Sequence, residues 1–440
     1  MGDPTDRDLE SLSCEERRSP DIIKDYRSNP PPTQQLDHTS ETAEHNRRTS
    51  TRRPPPSELP PQLSDLRAEW TSRNRAHQLF SQISGYSIIR SVLSFTGRYL
   101  ALLLVREVNV KPMPKDLESV GLGSSSSQPM DFILLLDFET GKRHTCVLSG
   151  DPKVNSSSPY YSENQSYGLG ISNRSIIVLV EESSDVPSEE HNWGLYPIEL
   201  PLKDPPSMLF KEAPRRSISQ GYIHGYTFSH DGEKLAICVS SRSSWRSYRV
   251  QLYHITEQRR FFDRSLWDFI PEDNYSSDVP IDISLAYKSS TFLAIYSYPA
   301  RAFSVLNPET GELISKQVVD EASGFLFFSK RFSKVAELKN GVVTVRDGEA
   351  KTSFSYRFPF VYSRIVFLPE NKLMLVFCYR SGSLRLLNAE KREKIKEWAL
   401  PSRAVADMYQ NYRLVVSGDG RVAVITHPNG VWGWGPSTSH

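Results

Sequence analysis

The stretch YTFSHDGEKLAICVS, Tyr226 to Ser240, decides the architecture. Tyr226 to Phe228 is a short apolar strand, and Asp231-Gly232 supplies a pair that tolerates the left-handed backbone of a tight turn. In the strand that follows, Leu235, Ile237 and Val239 line one face while Ala236 and Cys238 line the other. A strand that is apolar on both faces must be covered on both, so it lies between two packed layers. Just downstream, VQLYHITEQ (Val250 to Gln258) is a third strand that closes on polar His254 before another turn.

That closing pattern recurs. LLLDFETGK carries it at Asp137, SVLNPETGE at Asn307, VTVRDGEAK at Asp347, LRLLNAEKRE at Asn388 and VITHPNG at His427, with a weaker copy in GLYPIE at Pro197. The last three intervals are 40, 41 and 39 residues, and the earlier ones stretch to between 53 and 60 through inserted loops. A period near 40 is that of a four-stranded propeller blade. The third-strand endings therefore predict an all-β, seven-bladed β-propeller over residues 86–436, with blades at about 86–150, 167–202, 222–272, 279–319, 323–359, 362–400 and 403–436. The final blade reads RLVVSGDGRVAVITHPNGVWGWG, with hairpin turns at Gly418-Asp419-Gly420 and Asn429-Gly430. Val431 to Gly435 is then expected as its fourth strand, with Trp432 and Trp434 as packing aromatics.

FSHDGEKLA (Phe228 to Ala236), LDFETGK (Leu136 to Lys142) and LNPETGE (Leu306 to Glu312) resemble the WD-repeat family: the first its turn between first and second strands, the others its third-strand ending. The resemblance covers about residues 86–436 and implies the propeller fold, which hosts scaffolds, readers and enzymes alike. No Gly-His dipeptide stands in register, and the only Trp-Asp, Trp267-Asp268, falls after its blade's third strand. The family's His/Ser/Asp hydrogen-bond network is accordingly not carried over.

Residues 1–62 are rich in Pro, Arg, Asp, Glu and Ser and poor in large apolar groups, which reads as a disordered tail. Segment 63–85 places Leu66, Trp70, Ala76, Leu79, Phe80 and Ile83 near helical spacing, and both a docking helix and an irregular arm fit it. Lys and Arg total 53 against 52 for Asp and Glu, so bulk charge makes no case for nucleic acid or an anionic membrane. The four cysteines lack metal-ligand spacing and read as buried thiols of a reducing compartment. With no apolar signal region and no run long enough to cross a bilayer, the expected location is cytoplasm or nucleus.

No nucleophile elbow, zinc signature, Walker loop or dinucleotide fingerprint is present, so no catalytic residue, metal or cofactor is expected. His224 and His230 flank the second-strand turn and could be imagined as ligands, although a histidine beside Asp231-Gly232 also reads as turn chemistry. The candidate partner site is the hairpin SSRSSWRSYRVQLYHITEQRR, where Arg242, Arg246 and Arg249 interleave with Trp245 and Tyr248. Arginine forks beside exposed aromatics suit acidic or phosphorylated partners. The competing reading is a solvated tip paired with the acidic loop Glu181 to Glu190. The expected function is a non-enzymatic scaffold binding other proteins. The alternatives are a propeller enzyme or small-ligand binder using the central channel, marked by carboxylates or histidines converging from several first strands, and a nucleic-acid adaptor using the Arg242 hairpin.

Overall fold

One turn recurs between the first and second strands of several sheets. At Ser229 the backbone N–H donates to the Lys234 carbonyl at 2.9 Å, the Lys234 N–H returns to the Ser229 hydroxyl at 2.9 Å, and the Gly232 N–H closes onto the Ser229 carbonyl at 2.9 Å. The same bonds form at Ser94 (with Gly97 and Tyr99) and at Ser417 (with Gly420 and Val422). The third position needs positive φ: it is 73° at Gly97, 73° at Gly232 and 77° at Gly420, and Asn371, with φ 61°, fills it where a glycine is missing. The turns also set the spacing between sheets. A Cβ on Gly420 would stand 2.4 Å from Pro369 Cδ, and one on Gly97 would stand 2.5 Å from Val422 Cγ2, each in the preceding sheet.

In this computed structural model most of residues 63–435 are described; 1–62, 108–113, 119–130, 149–166, 183–191, 202–215, 241–246, 271–282, 401–412, 436–440 and several shorter connections lie outside the described residues. The tail expected over 1–62 is among them.

A helix α1 (Leu63–Ser72) leads into strand β1 (His77–Ser81). The first four-stranded sheet is β2 (Tyr86–Leu93), β3 (Tyr99–Arg106), β4 (Phe132–Asp137) and β5 (Arg143–Val147), with a short helix α2 (Pro114–Glu118) between β3 and β4. The second is β6 (Tyr167–Ile171), β7 (Ser175–Glu182), β8 (Asn192–Glu199) and β9 (Arg216–Gln220). The third is β10 (Tyr222–Phe228), β11 (Lys234–Ser240), β12 (Arg249–His254) and β13 (Arg259–Ser265). The fourth is β14 (Ile283–Ser289), β15 (Phe292–Ser297), β16 (Ala302–Leu306) and β17 (Leu313–Val318). The fifth is β18 (Phe325–Phe328), β19 (Lys334–Lys339), β20 (Val342–Asp347) and β21 (Ser353–Arg357). The sixth is β22 (Ser363–Phe367), β23 (Leu373–Cys378), β24 (Ser383–Asn388) and β25 (Glu393–Ala399). The last sheet joins β26 (Arg413–Val416), β27 (Ala423–His427) and β28 (Gly430–Trp434) to β1.

All pairings are antiparallel, and first strands of successive sheets touch in the order β18–β22–β26–β2–β6–β10–β14. Sequential four-stranded meanders whose first strands gather about one centre are the arrangement of a β-propeller. Several second and third strands are buried end to end, as in β4, β11 and β23, and cores form between neighbouring sheets. The third-strand endings are Asx turns: the side chains of Asp137, Asn307 and Asn388 accept the N–H of Glu139, Glu309 and Glu390 at 3.0, 2.8 and 2.9 Å. Cys146, Cys238 and Cys378 are buried free thiols, and burial pushes the Cys238 thiol up to about 12.

The final sheet corrects the sequence reading by one strand. Val431 to Trp434 belong to its third strand, not its fourth, and His427 ends the second strand, because the fourth is β1 from the N-terminal side. Segment 63–85 is thus helix plus strand, and the propeller starts before residue 86. The second sheet likewise reaches past 202, to β9. The arm is anchored by Trp70, fully buried, whose indole N–H donates to the Gly420 carbonyl at 2.9 Å. Its ring meets Trp398 edge-on at 5.6 Å and carries the Arg73 guanidinium 3.9 Å above it. The Trp398 indole returns a bond to the Arg73 carbonyl at 2.9 Å. Trp432 and Trp434 are buried packing aromatics, as expected.

Candidate functional site

The first strands enclose a cavity of about 710 Å³ at the centre of the propeller. Its wall is built from β2, β6, β10, β14, β22 and β26, with Val92, Leu169, Ile171, Ile223, Leu285 and Val415 supplying apolar surface. Arg90 on β2 and Arg364 on β22 face it. Arg413 opens β26, the strand between them, and its guanidinium is lowered to about 10 by burial first and then by the charges of Arg90 and Arg364. Arg364 Nε donates to the Tyr379 hydroxyl at 3.0 Å, and the Arg90 guanidinium lies 5.8 Å from the Tyr226 ring. Among the described lining residues there is no aspartate or glutamate.

The channel therefore gathers arginines, not the carboxylates or histidine pairs that would mark an acid–base site. His224 lines it alone among the described residues, since His230 lies outside them. The His224 imidazole bonds the Ser240 hydroxyl at 2.7 Å and packs 4.8 Å from the Tyr248 ring, and burial lowers its pKa from 6.5 to about 4. Among the described residues no group of three or more His, Cys, Asp or Glu is placed to hold a metal. A neutral buried imidazole has a stability signature. Below pH 6.5 the unfolded chain takes up a proton that folded His224 refuses, so stability falls as pH drops from about 6.5 toward 4, by about 1.4 kcal/mol per unit. Urea denaturation at pH 7, 6, 5 and 4.5 is expected to show this slope, and His224→Gln to flatten it; an unchanged slope in the variant would assign the acid sensitivity elsewhere.

The basic hairpin is only partly described. Arg242, Trp245 and Arg246 lie outside the described residues. Tyr248 is 4% exposed, packed against His224 and Trp267, so it belongs to the core and offers no stacking face. Those two ring contacts hold it inward, which corrects its reading as an exposed aromatic. Arg249 is exposed and donates to Asp263 Oδ1 at 2.6 Å; Arg260 reaches the same carboxylate at 2.9 Å. The described basic residues thus pair within their own hairpin, β12 to β13.

Sequence reasoning missed the channel arginines, although their signal is in the chain. Each stands four residues before the residue whose N–H closes the first turn: Arg90-Ser-Val-Leu-Ser94, Arg364-Ile-Val-Phe-Leu368 and Arg413-Leu-Val-Val-Ser417. Aligning the repeats on that turn, instead of on third-strand endings, would have shown them.

Neither a protein-family model nor a curated protein matches the chain. Solved structures do. Raptor of Chaetomium thermophilum is similar at 8% identity and TM-score 0.48, covering 86% of this chain and 31% of that one. The Cps50 (Swd1) beta-propeller domain of Myceliophteria thermophila is similar at 11% identity and TM-score 0.45, covering 81% of this chain and 100% of that one. KlHsv2 with loop 6CD replaced by a Gly-Ser linker is similar at 10% identity and TM-score 0.44, covering 78% and 90%. This chain's own sheet order defines it as a β-propeller of repeated four-stranded sheets. Among its described residues no helix is long and apolar enough to cross a membrane.

Proposed function

We propose that the chain is a non-enzymatic interaction scaffold, a single closed ring of seven blades that presents its connecting loops to other proteins. The observation that carries this reading is where the repeat length varies. The sheets are regular four-stranded units, whereas the extra residues fall between strands: 107–131 between β3 and β4, 183–191 between β7 and β8, 241–248 between β11 and β12. Rigid sheets with sequence-diverse connections are how a propeller separates holding from binding. The 183–191 connection is acidic in sequence and the 241–248 connection basic and aromatic, so the two differ in chemistry.

The partner site proposed on this frame is the β11–β12 connection with Arg242, Trp245 and Arg246, and Arg249 at its base. Tyr248 supports it from the core. Changing Arg242, Arg246 and Arg249 together to Ala is expected to abolish recovery of a stoichiometric protein partner in affinity purification with mass spectrometry. Stability should change little, since exposed substitutions stay within about 0.5 kcal/mol each. Undiminished partner recovery by a folded triple variant would remove this connection from the binding surface, and recovery of nucleic acid with a steep salt dependence would replace the scaffold reading with an adaptor of another class.

A further inference from the structure

We propose that the central channel is a binding site for a small phosphorylated anion, held by Arg90, Arg364 and Arg413 from three consecutive blades. The three side chains occupy one register position. Counted from the turn that starts each sheet, at Ser94, Leu368 and Ser417, every arginine precedes the turn residue by four and pairs across to the second strand at the equivalent place: Arg90 with Leu103, Arg364 with Phe377, Arg413 with Thr426. Their strands adjoin in the order β22–β26–β2, so the cations form a contiguous arc in one layer of the channel wall. Arg90 and Arg364 face the cavity directly, and both lie close enough to depress the Arg413 guanidinium.

The next two strands round the wall, β6 and β10, carry no charge at this position. At the same register position β6 has Gly168, whose partner is Leu179, and β10 has Gly225, whose partner is Cys238. The Tyr226 ring fills the space beside Gly168, its Cζ 2.9 Å from where a Cβ would stand, while the three guanidiniums of the adjoining arc carry five N–H donors each, one of which, Arg364 Nε, is held by the Tyr379 hydroxyl. The cavity of about 710 Å³ falls within the range of small-ligand sites. Its described lining offers no carboxylate, and burial raises the pKa of the nearby Tyr379 hydroxyl, which stays neutral. Like charges gathered in a partly desolvated space repel, so the arrangement costs folding energy that an oxyanion with several charges offsets when bound. Arginine forks match phosphate oxygens in pairs, and an anion with two or more phosphate groups can engage all three at once. A stability cost retained for binding is the usual mark of a site.

The site stands apart from the scaffold reading: it concerns the channel, not the loops, and can hold or fail without it. The test uses the full chain and two probes, sodium pyrophosphate and myo-inositol hexakisphosphate, with sodium chloride at matched ionic strength as reference. Isothermal titration and thermal unfolding are expected to show saturable binding of at least one probe and a rise in melting temperature that chloride does not give. Arg364→Gln and Arg413→Gln should each weaken binding at least tenfold while melting no lower than the parent without probe, because repulsion is relieved. Arg364→Lys, which keeps the charge but loses the fork, should fall between parent and Arg364→Gln. Exposed Arg346→Gln, on β20 outside the channel, should bind as the parent does. Absence of saturable binding of both probes by the parent protein overturns the proposal whatever the variants do. So does binding that survives in folded Arg364→Gln and Arg413→Gln together.

Discussion

Trp70→Ala is expected to destabilise the protein by about 3–5 kcal/mol, the largest loss of any single substitution in the segment before β2. Trp70 is fully buried, its indole N–H satisfies the Gly420 carbonyl, and its faces are occupied by Trp398 and Arg73. Truncation opens a cavity and leaves a buried carbonyl without its donor, and the two costs add. The consequence runs beyond the site. Trp70 fixes α1 against the sixth and last sheets, and α1 delivers β1 to the exposed edge of β28. Loss of the anchor therefore loosens the strand that completes the last sheet, and an unpaired β28 edge invites aggregation. Trp70→Phe should cost much less, since it keeps most of the apolar area and surrenders the one hydrogen bond. By contrast, deleting residues 1–57, which carry the composition of a tail, should leave the melting temperature within about 2 °C. Urea denaturation followed by tryptophan fluorescence checks all three variants. A Trp70→Ala loss below about 1 kcal/mol, or a drop of roughly ten degrees on removing 1–57, would show that the anchor has been placed on the wrong residues.

The sequence was most readable where a local rule acts alone. The turn at Asp231-Gly232 needs left-handed backbone, the third strands close on side chains able to cap an Asx turn, and doubly apolar strands can only be central, so the sheets between residues 86 and 399 fell near where the pattern put them, except that the second runs past 202 to β9. The last sheet was misread for a physical reason. VITHPNG imitates a third-strand ending, with polar His427 before a tight turn, yet nothing local says whether a strand has one or two neighbours still to come. That is decided by β1, more than three hundred residues away, where only alternating Phe80 and a buried Trp70 hint at pairing. Tyr248 was misjudged because flanking arginines advertise a surface while its ring packs inward against His224 and Trp267. The channel arginines escaped for a different reason. Each alone is an ordinary charged residue opening a strand, and their meaning arises only when three repeats are superposed on the turn that follows them.

A chain ending at Asn429 is expected to be insoluble or to unfold without cooperativity, a larger effect than any point substitution. β28 is not a terminal arm but the bridge of its sheet, pairing on one side with β27 through five positions, from Ala423–Trp434 to His427–Gly430, and on the other with β1 at His77, Gln78, Phe80 and Ser81. Removing it strands β1, exposes the edge of β27 and empties the cores that hold Val431, Trp432 and Trp434. Each buried Trp alone is worth about 3–5 kcal/mol on truncation, against a net stability of about 5–15 kcal/mol for a domain. The helix anchor cannot compensate, because α1 grips the turn at Gly420 and Arg421 and leaves β1 with no strand to pair. A second truncation separates this cause from a general sensitivity of the C-terminal region: a chain ending at Gly435 keeps β28 entire and should melt within about 2 °C of the full chain. Size-exclusion chromatography and thermal unfolding of the two proteins give the answer. If the chain ending at Asn429 were soluble, monomeric and cooperative, β28 would not be the third strand of the last sheet, and the closure by β1 would fall with it.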